Sequence, residues 1–210
     1  MNPFAFLHRK PSAKQLLHQG RRAELQELIS VYLPRSLALP KQGLGYPCVL
    51  SLKVDGLGAY LLDVHLDTEH LTNIEQLIER LGFNRQQPTA KFHTFSRQCP
   101  APEAVSIQRQ KLGQGTALLL ISNSIELLQN LPELAPPKPW EVFPEVDADG
   151  LGSLQGSLEH WWNHYWWPYW LNLTPKQRAS WLDDARHPEG WREYIRLQDE
   201  LNGTNREPQA

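Results

Sequence analysis

The sequence is poor in cysteine and has no long apolar run. Cysteine occurs only at Cys48 and Cys99 in 210 residues, too few for the disulfide framework of a small secreted domain. We expect two buried free thiols, with one disulfide as the alternative. No stretch approaches the roughly 20 apolar residues of a membrane span, and the first ten residues lack the order of a signal peptide. These absences predict a soluble cytoplasmic protein that does not cross a membrane.

The sequence also lacks a strong excess of charge. Lysine and arginine number 21, aspartate and glutamate 23, and the net charge is −2. A duplex-DNA-binding protein is usually basic on at least one face, so the balance argues against DNA binding and leaves room only for a local basic patch. Hydrophobic residues make up 40% of the chain, which suits one large domain or two small ones.

Aromatic residues, by contrast, are concentrated in residues 160–170. This segment holds five of the eight tryptophans, two of the six tyrosines and two of the eight histidines. On an α-helix Trp162, Trp166 and Trp170 share one face, while Trp167 points toward another. A surface helix buries an arc of about 100°, so the rings exceed what one buried face needs.

The surplus of ring surface predicts a partner-binding surface beside the core, because tryptophan and tyrosine dominate protein interfaces. The residues assigned to it are Trp162, Tyr165, Trp166, Trp167, Tyr169 and Trp170. Exposed rings also stack on bases, but single-strand-binding proteins interleave them with basic residues. Residues 157–173 contain no lysine or arginine, which disfavours that use.

The order of predicted elements indicates an α+β fold with a mainly antiparallel sheet. Helices are predicted from Ser12, over 21–33, from Asp67 or Thr68 to Gly82, and after Ser124. Strands are predicted over 46–54, 57–66, 90–97, 105–110 and 116–121, and Asp55-Gly56 marks a tight hairpin turn between the first two. The run 116–121 is continuously apolar, as in a strand buried on both faces.

The remainder of the chain divides by composition. Residues 1–131 form the α+β domain, and 132–156 are rich in proline and glycine and act as a strap or linker. Trp140 and Phe143 favour a packed strap. Residues 157–203 form a Trp-rich helical region packed on the first domain, with a capping box at Thr174, and 204–210 are a polar tail.

Two sets of histidines are candidates for metal or hydrolytic chemistry. His160 and His164 are four residues apart and share a helical face, but Trp161 stands where a metalloprotease motif needs glutamate. His65, at a predicted strand end, and His93, on a neighbouring predicted strand, can approach each other and, with Cys48 or Cys99, would make a nucleophile and base. Hydrogen bonding and stacking explain these histidines without a metal, so no metal, cofactor or catalytic residue is assigned.

Basic residues gather in the middle of the chain, where adjacent strands would make one basic sheet face. They are Arg85, Lys91, Arg97, Arg109 and Lys111. Scattered, solvated positions are the alternative. Residues 145–150 resemble the start of a calcium loop, but the twelfth position is Gly156 where a glutamate is required.

These patterns favour a non-enzymatic protein that binds another protein, as a regulator, an adaptor or a toxin-neutralising immunity-type inhibitor. The alternatives are a nucleic-acid-binding protein that uses the basic sheet face and a metal-dependent hydrolase that uses His65, His93, His160 or His164.

Overall fold

The computed structural model describes residues 28–38, 46–47, 49–86 and 92–202, which contain a six-stranded antiparallel sheet. Its strands are β1 (Val49–Ser51), β2 (Tyr60–Leu66), β3 (Asn84–Arg85), β4 (His93–Cys99), β5 (Ala101–Leu112) and β6 (Gly115–Ser122). Across the sheet they run in the order β1-β2-β6-β5-β4-β3. The α+β prediction is confirmed.

The helices that the structure describes lie mostly after the sheet. They are 28–31, α1 (Thr68–Arg80), α2 (Ile125–Gln129), α3 (Pro139–Val142), α4 (Gly156–Trp161), α5 (Trp167–Asn172), α6 (Pro175–Asp183) and α7 (Glu189–Leu201). A π-helical segment, Trp162–Trp166, joins α4 to α5. No helix in this part of the chain has the length and apolar character needed to cross a membrane.

The hairpin of β1 and β2 is present, but its loop is wider than the predicted two-residue turn. A 3₁₀ turn over Lys53–Asp55 precedes Gly56, whose φ is 79°. Leu52 and Leu57 are both buried, and the Leu57 N–H donates to the Leu52 carbonyl. Burial of both leucines therefore holds a broad loop. The two strands are shorter than the predicted ranges, 46–54 and 57–66.

Local capping signals are confirmed where the structure describes them. Asp67 accepts the His70 backbone N–H at 2.8 Å at the start of α1, and Gly82, with φ of 78°, follows its end. At α6 the Thr174 hydroxyl accepts the Gln177 N–H, and the Gln177 side chain accepts the Thr174 N–H. Each contact satisfies a backbone group that the helix end leaves free.

The two faces of the sheet pack against different helices. Leu118 and Leu120 of β6 belong to the core with α1, while Ile121 belongs to a core with residues from 28–32. The predicted burial of this strand on both faces is confirmed. The Trp-rich helical region forms a third core that includes Leu112 and Ala117 at one end of the sheet.

The predicted strap, residues 132–156, packs against the rest of the protein. Leu134 lies in the core with α1, Phe143 lies in the Trp-rich core, and the Gln114 N–H donates to the Val142 carbonyl at 2.8 Å. Regular structure within the strap begins at Pro139, whose fixed φ suits the start of the short helix α3. The division into domains stays a prediction.

Some predictions lie outside the described residues. They are the helix from Ser12, the first part (21–27) of the helix predicted over 21–33, the Cys48 thiol, the basic residue Lys91, the end of the helical region at Gly203 and the polar tail. Cys99 is free but exposed rather than buried, because it ends β4 beyond the packed part of the sheet.

Candidate functional site

The aromatic segment, residues 160–170, passes from α4 through the π-helical segment into α5 without a break. The Trp167 N–H donates to the Trp162 carbonyl, five residues back. Pro168 follows in the first turn of α5, where a missing N–H is tolerated. The helix therefore continues through Pro168, with a π-turn just before it.

The π-turn changes which rings pair. Trp161 stacks on Trp166 with ring centroids 6.0 Å apart, and Trp162 stacks on Trp167 at 6.1 Å. Both pairs are five residues apart, whereas an α-helix pairs residues three or four apart. The predicted faces, based on α-helical spacing, are thus partly regrouped by the local widening of the helix.

Almost every tryptophan and tyrosine ring of the segment is buried by the rest of the chain. Trp161, Trp162, Tyr165, Trp166, Trp167 and Trp170 are 7% exposed or less, and Tyr169 is half-buried. The segment contacts the strap through Phe143, α6 through Trp181 and α7 through Tyr194. It is the central helix of a core, so the argument from one buried face does not apply, and the expected surplus of exposed ring surface is not found.

A polar seam joins the aromatic segment to β2. The Tyr165 hydroxyl donates to Asp63 Oδ1 at 3.0 Å, and His65 packs against Trp161 and Tyr165. Burial raises the pKa of Asp63 to about 6, although the Tyr165 hydrogen bond and nearby His164 oppose the rise. Burial also lowers the pKa of His65 to about 4. Burial therefore shifts both groups toward their uncharged forms.

His65 is held in one orientation within this seam. Its Nε2–H donates to the Leu112 carbonyl at 2.9 Å. A Cβ at position 115 would collide with the His65 ring, so Gly115 leaves the ring its space. The seam is thus a packed structural contact that carries two titratable groups.

The four histidines assigned to the hydrolase alternative do not form one site. His65 pairs in register with Ala117, and His93 pairs with Ile107 on the opposite face, because side chains alternate along strands. The rings of His160 and His164 stack with centroids 4.1 Å apart on the exposed side of the aromatic segment. Within the described residues, no three His, Cys, Asp or Glu side chains are grouped to hold a metal.

The basic residues that the structure describes do share a sheet face. Strand register places Arg85, Arg97, Arg109 and Lys111 on the side of α1. Arg97 pairs with Glu103 and Glu126, and Arg109 pairs with Glu75. These carboxylates reduce the positive charge that the face presents, although the nucleic-acid alternative itself stays a prediction.

Exposed apolar surface beside the aromatic segment includes Leu171 of α5, which is 36% exposed, and extends along α7. Leu197 and Leu201, four residues apart, are 49% and 70% exposed. Two grooves meet at Tyr194. The first, of about 300 Å³, lies between Leu154 of the strap and Leu201, and its walls include Trp162 and Trp167. Edges of these two rings are therefore the part of the predicted surface that reaches a groove.

The second groove, of about 660 Å³, lies between the strap and the first turns of α7, beside Leu151 and Leu197. A third, of about 350 Å³, adjoins it and is lined by Trp140 and Trp191. Asp149 and Glu189 line both. A Cβ on Gly190 would collide with the Asp149 carboxylate, so this glycine allows the strap to approach α7 closely.

Sequence reasoning did not select Leu197 and Leu201, although a signal was present. Trp191, Tyr194 and Ile195, at helical spacing, are buried along one side of α7. Adding the two leucines widens the apolar arc of α7 to roughly 160° at about 100° per residue, well beyond the usual buried arc. An apolar arc wider than the buried face is therefore found on α7.

The chain matches no protein-family model, no curated protein and no solved structure. Its function is therefore argued from the site alone.

Proposed function

We propose that this protein acts by binding another protein, and that the contact surface is the α7 surface: Leu197, Leu201 and the grooves on either side of Tyr194. The observation that carries the proposal is the pair of exposed leucines beside grooves with aromatic walls. Apolar side chains and ring edges beside concave surface are the usual anchors of protein interfaces.

The neighbouring chemistry supports binding over catalysis. Catalytic acids and bases usually have perturbed pKa values and line an accessible cavity. The strongly shifted Asp63 and His65 lie instead within the packed seam. A regulator, an adaptor or an immunity-type inhibitor fits a protein whose exposed site offers apolar contact area beside grooves.

The test compares retention of partners from cells that produce the protein. We expect wild type and Val54→Ser to retain the same partner and Leu197→Ser/Leu201→Ser to lose it. Val54 is 94% exposed on the β1–β2 loop, so it is a matched control for removal of surface apolar area. All three proteins should unfold at closely similar denaturant concentrations, because the side chains are exposed.

Equal retention by the double variant would overturn the α7 surface as the binding site. A wild-type protein that retains no specific partner would overturn the proposed function.

A further inference from the structure

The three grooves share an acidic lining. Carboxylates of Glu159, Asp149, Glu189, Glu193 and Asp147 line one or more of them. Among the described lining residues there is no lysine, arginine or histidine, and the two arginines of α7, Arg192 and Arg196, line none of the grooves. The whole chain, by contrast, is nearly balanced in charge. The α7 surface is therefore locally acidic.

Charge and apolar area are arranged side by side along α7. On the helix, Glu189 and Glu193 lie beyond the edge that Leu197 forms, while Tyr194 and Leu201 lie on the other side of Leu197. Asp149 contributes from the strap across the second groove. A partner seated against the leucines thus has carboxylates along its flank.

Resting on the proposed function, we infer that the partner presents a basic amphipathic helix to the α7 surface. Its apolar side chains contact Leu197, Leu201 and the edges of Trp162 and Trp167, and its lysines or arginines face the carboxylates. Helices with apolar anchors three and four residues apart commonly bind grooves of this kind. Opposite charge steers the encounter and selects the partner.

The same charges disfavour other occupants. Carboxylates repel the phosphates of nucleic acids and of anionic lipid surfaces, and they repel acidic protein segments. The apolar walls, in turn, give little contact to a basic segment that lacks apolar side chains. The carboxylates and the apolar walls together therefore favour a partner segment that is both basic and amphipathic.

The test uses three dye-labelled helical peptides that have leucines at the same helical spacing and differ only in their polar residue: lysine, glutamine or glutamate. The lysine peptide is expected to bind the full-length protein at least about tenfold more tightly than the glutamate peptide. Its binding should weaken as salt is added. Fluorescence anisotropy gives each Kd. Leu197→Ser/Leu201→Ser should abolish binding of the lysine peptide.

Matched charge variants locate the effect. Glu159→Gln/Glu193→Gln is expected to raise the Kd of the lysine peptide about three- to tenfold, which is the effect of losing two exposed ion pairs. Glu69→Gln/Glu79→Gln removes two exposed carboxylates from α1 and should leave Kd unchanged. Equal weakening by both pairs would reduce the effect to net charge and overturn the inference.

Peptide binding also separates this inference from the proposed function. If all three peptides bind equally and all depend on the two leucines, the basic partner is excluded and the α7 surface stands. A lysine peptide that does not bind, or that binds the leucine variant unchanged, overturns the inference. The proposed function then depends on retention of a partner from cells.

Discussion

Replacing Asp199 by alanine is expected to lower the free energy of unfolding by about 3–5 kcal/mol, as for a broken buried ion pair. Asp199 is 1% exposed, and its Oδ1 accepts hydrogen bonds from Trp170 Nε1 and from Arg178 Nη1, each at 3.0 Å. Its removal leaves a buried guanidinium and a buried indole N–H without this acceptor. Three helices, α5, α6 and α7, are linked by this one carboxylate.

Chemical denaturation followed by tryptophan fluorescence measures this effect. Glu200→Ala, on the next residue of α7, is the matched control because Glu200 is exposed on the same helix. Asp199→Asn should fall between the control and Asp199→Ala, because an amide oxygen still accepts from Trp170 but carries no charge. If Asp199→Ala and Glu200→Ala unfold within about 1 kcal/mol of each other, the network does not hold the helices together.

Asp63→Asn is expected to become more stable relative to wild type as pH rises. The pKa of Asp63 is about 6 in the folded protein and 3.8 ordinarily. Near pH 5 the folded protein holds a proton that the unfolded chain has released, so the wild-type contribution of Asp63 weakens as pH rises through this window. Its removal should therefore add roughly 2–3 kcal/mol between pH 4 and pH 7.

His65→Gln is expected to show the opposite dependence. The pKa of His65 is about 4 in the folded protein and 6.5 ordinarily. Near pH 5 the unfolded chain binds a proton that the folded protein excludes, so the wild-type contribution of His65 is lost as pH falls through 6.5. Relative to wild type, the variant should gain roughly 2–3 kcal/mol from pH 7 down to pH 4.

The two pH dependences nearly cancel in wild type, because folding near pH 5 adds a proton to Asp63 and removes one from His65. Urea titrations at pH 4, 5, 6 and 7 on the three proteins separate them. Asparagine still accepts from Tyr165, and glutamine can still donate to the Leu112 carbonyl, so the seam keeps its hydrogen bonds. If the stability of both variants changes with pH in parallel with wild type, burial does not shift the pKa of either group.

Sequence predicted best where neighbours in the chain decide the structure. The caps at Asp67 and Thr174 depend on contacts three residues away, and the antiparallel sheet follows from alternation and turns. The antiparallel pairing of β1 with β2 was predicted, but its loop width was not, because it depends on where Leu52 and Leu57 pack.

The site was harder to predict, because burial of a helix depends on how many elements surround it. The aromatic segment contacts the sheet, the strap, α6 and α7. The number of these neighbours cannot be read from the sequence of the segment itself. The π-turn at Trp162–Trp166 also departs from the α-helical spacing on which the predicted faces were based. Leu197 and Leu201 continue a buried stripe in sequence and become surface only because nothing in the described chain covers them.

Hydroxyl-radical footprinting of the free protein tests the central claim most directly, because it measures the exposure of individual aromatic and leucine side chains. We predict that Trp161, Trp166 and Trp170 react slowly and that Leu197 and Leu201 react at rates typical of exposed leucine. Fast oxidation of those three tryptophans, with protected leucines, would contradict the account: the aromatic segment would then be the surface and α7 the core.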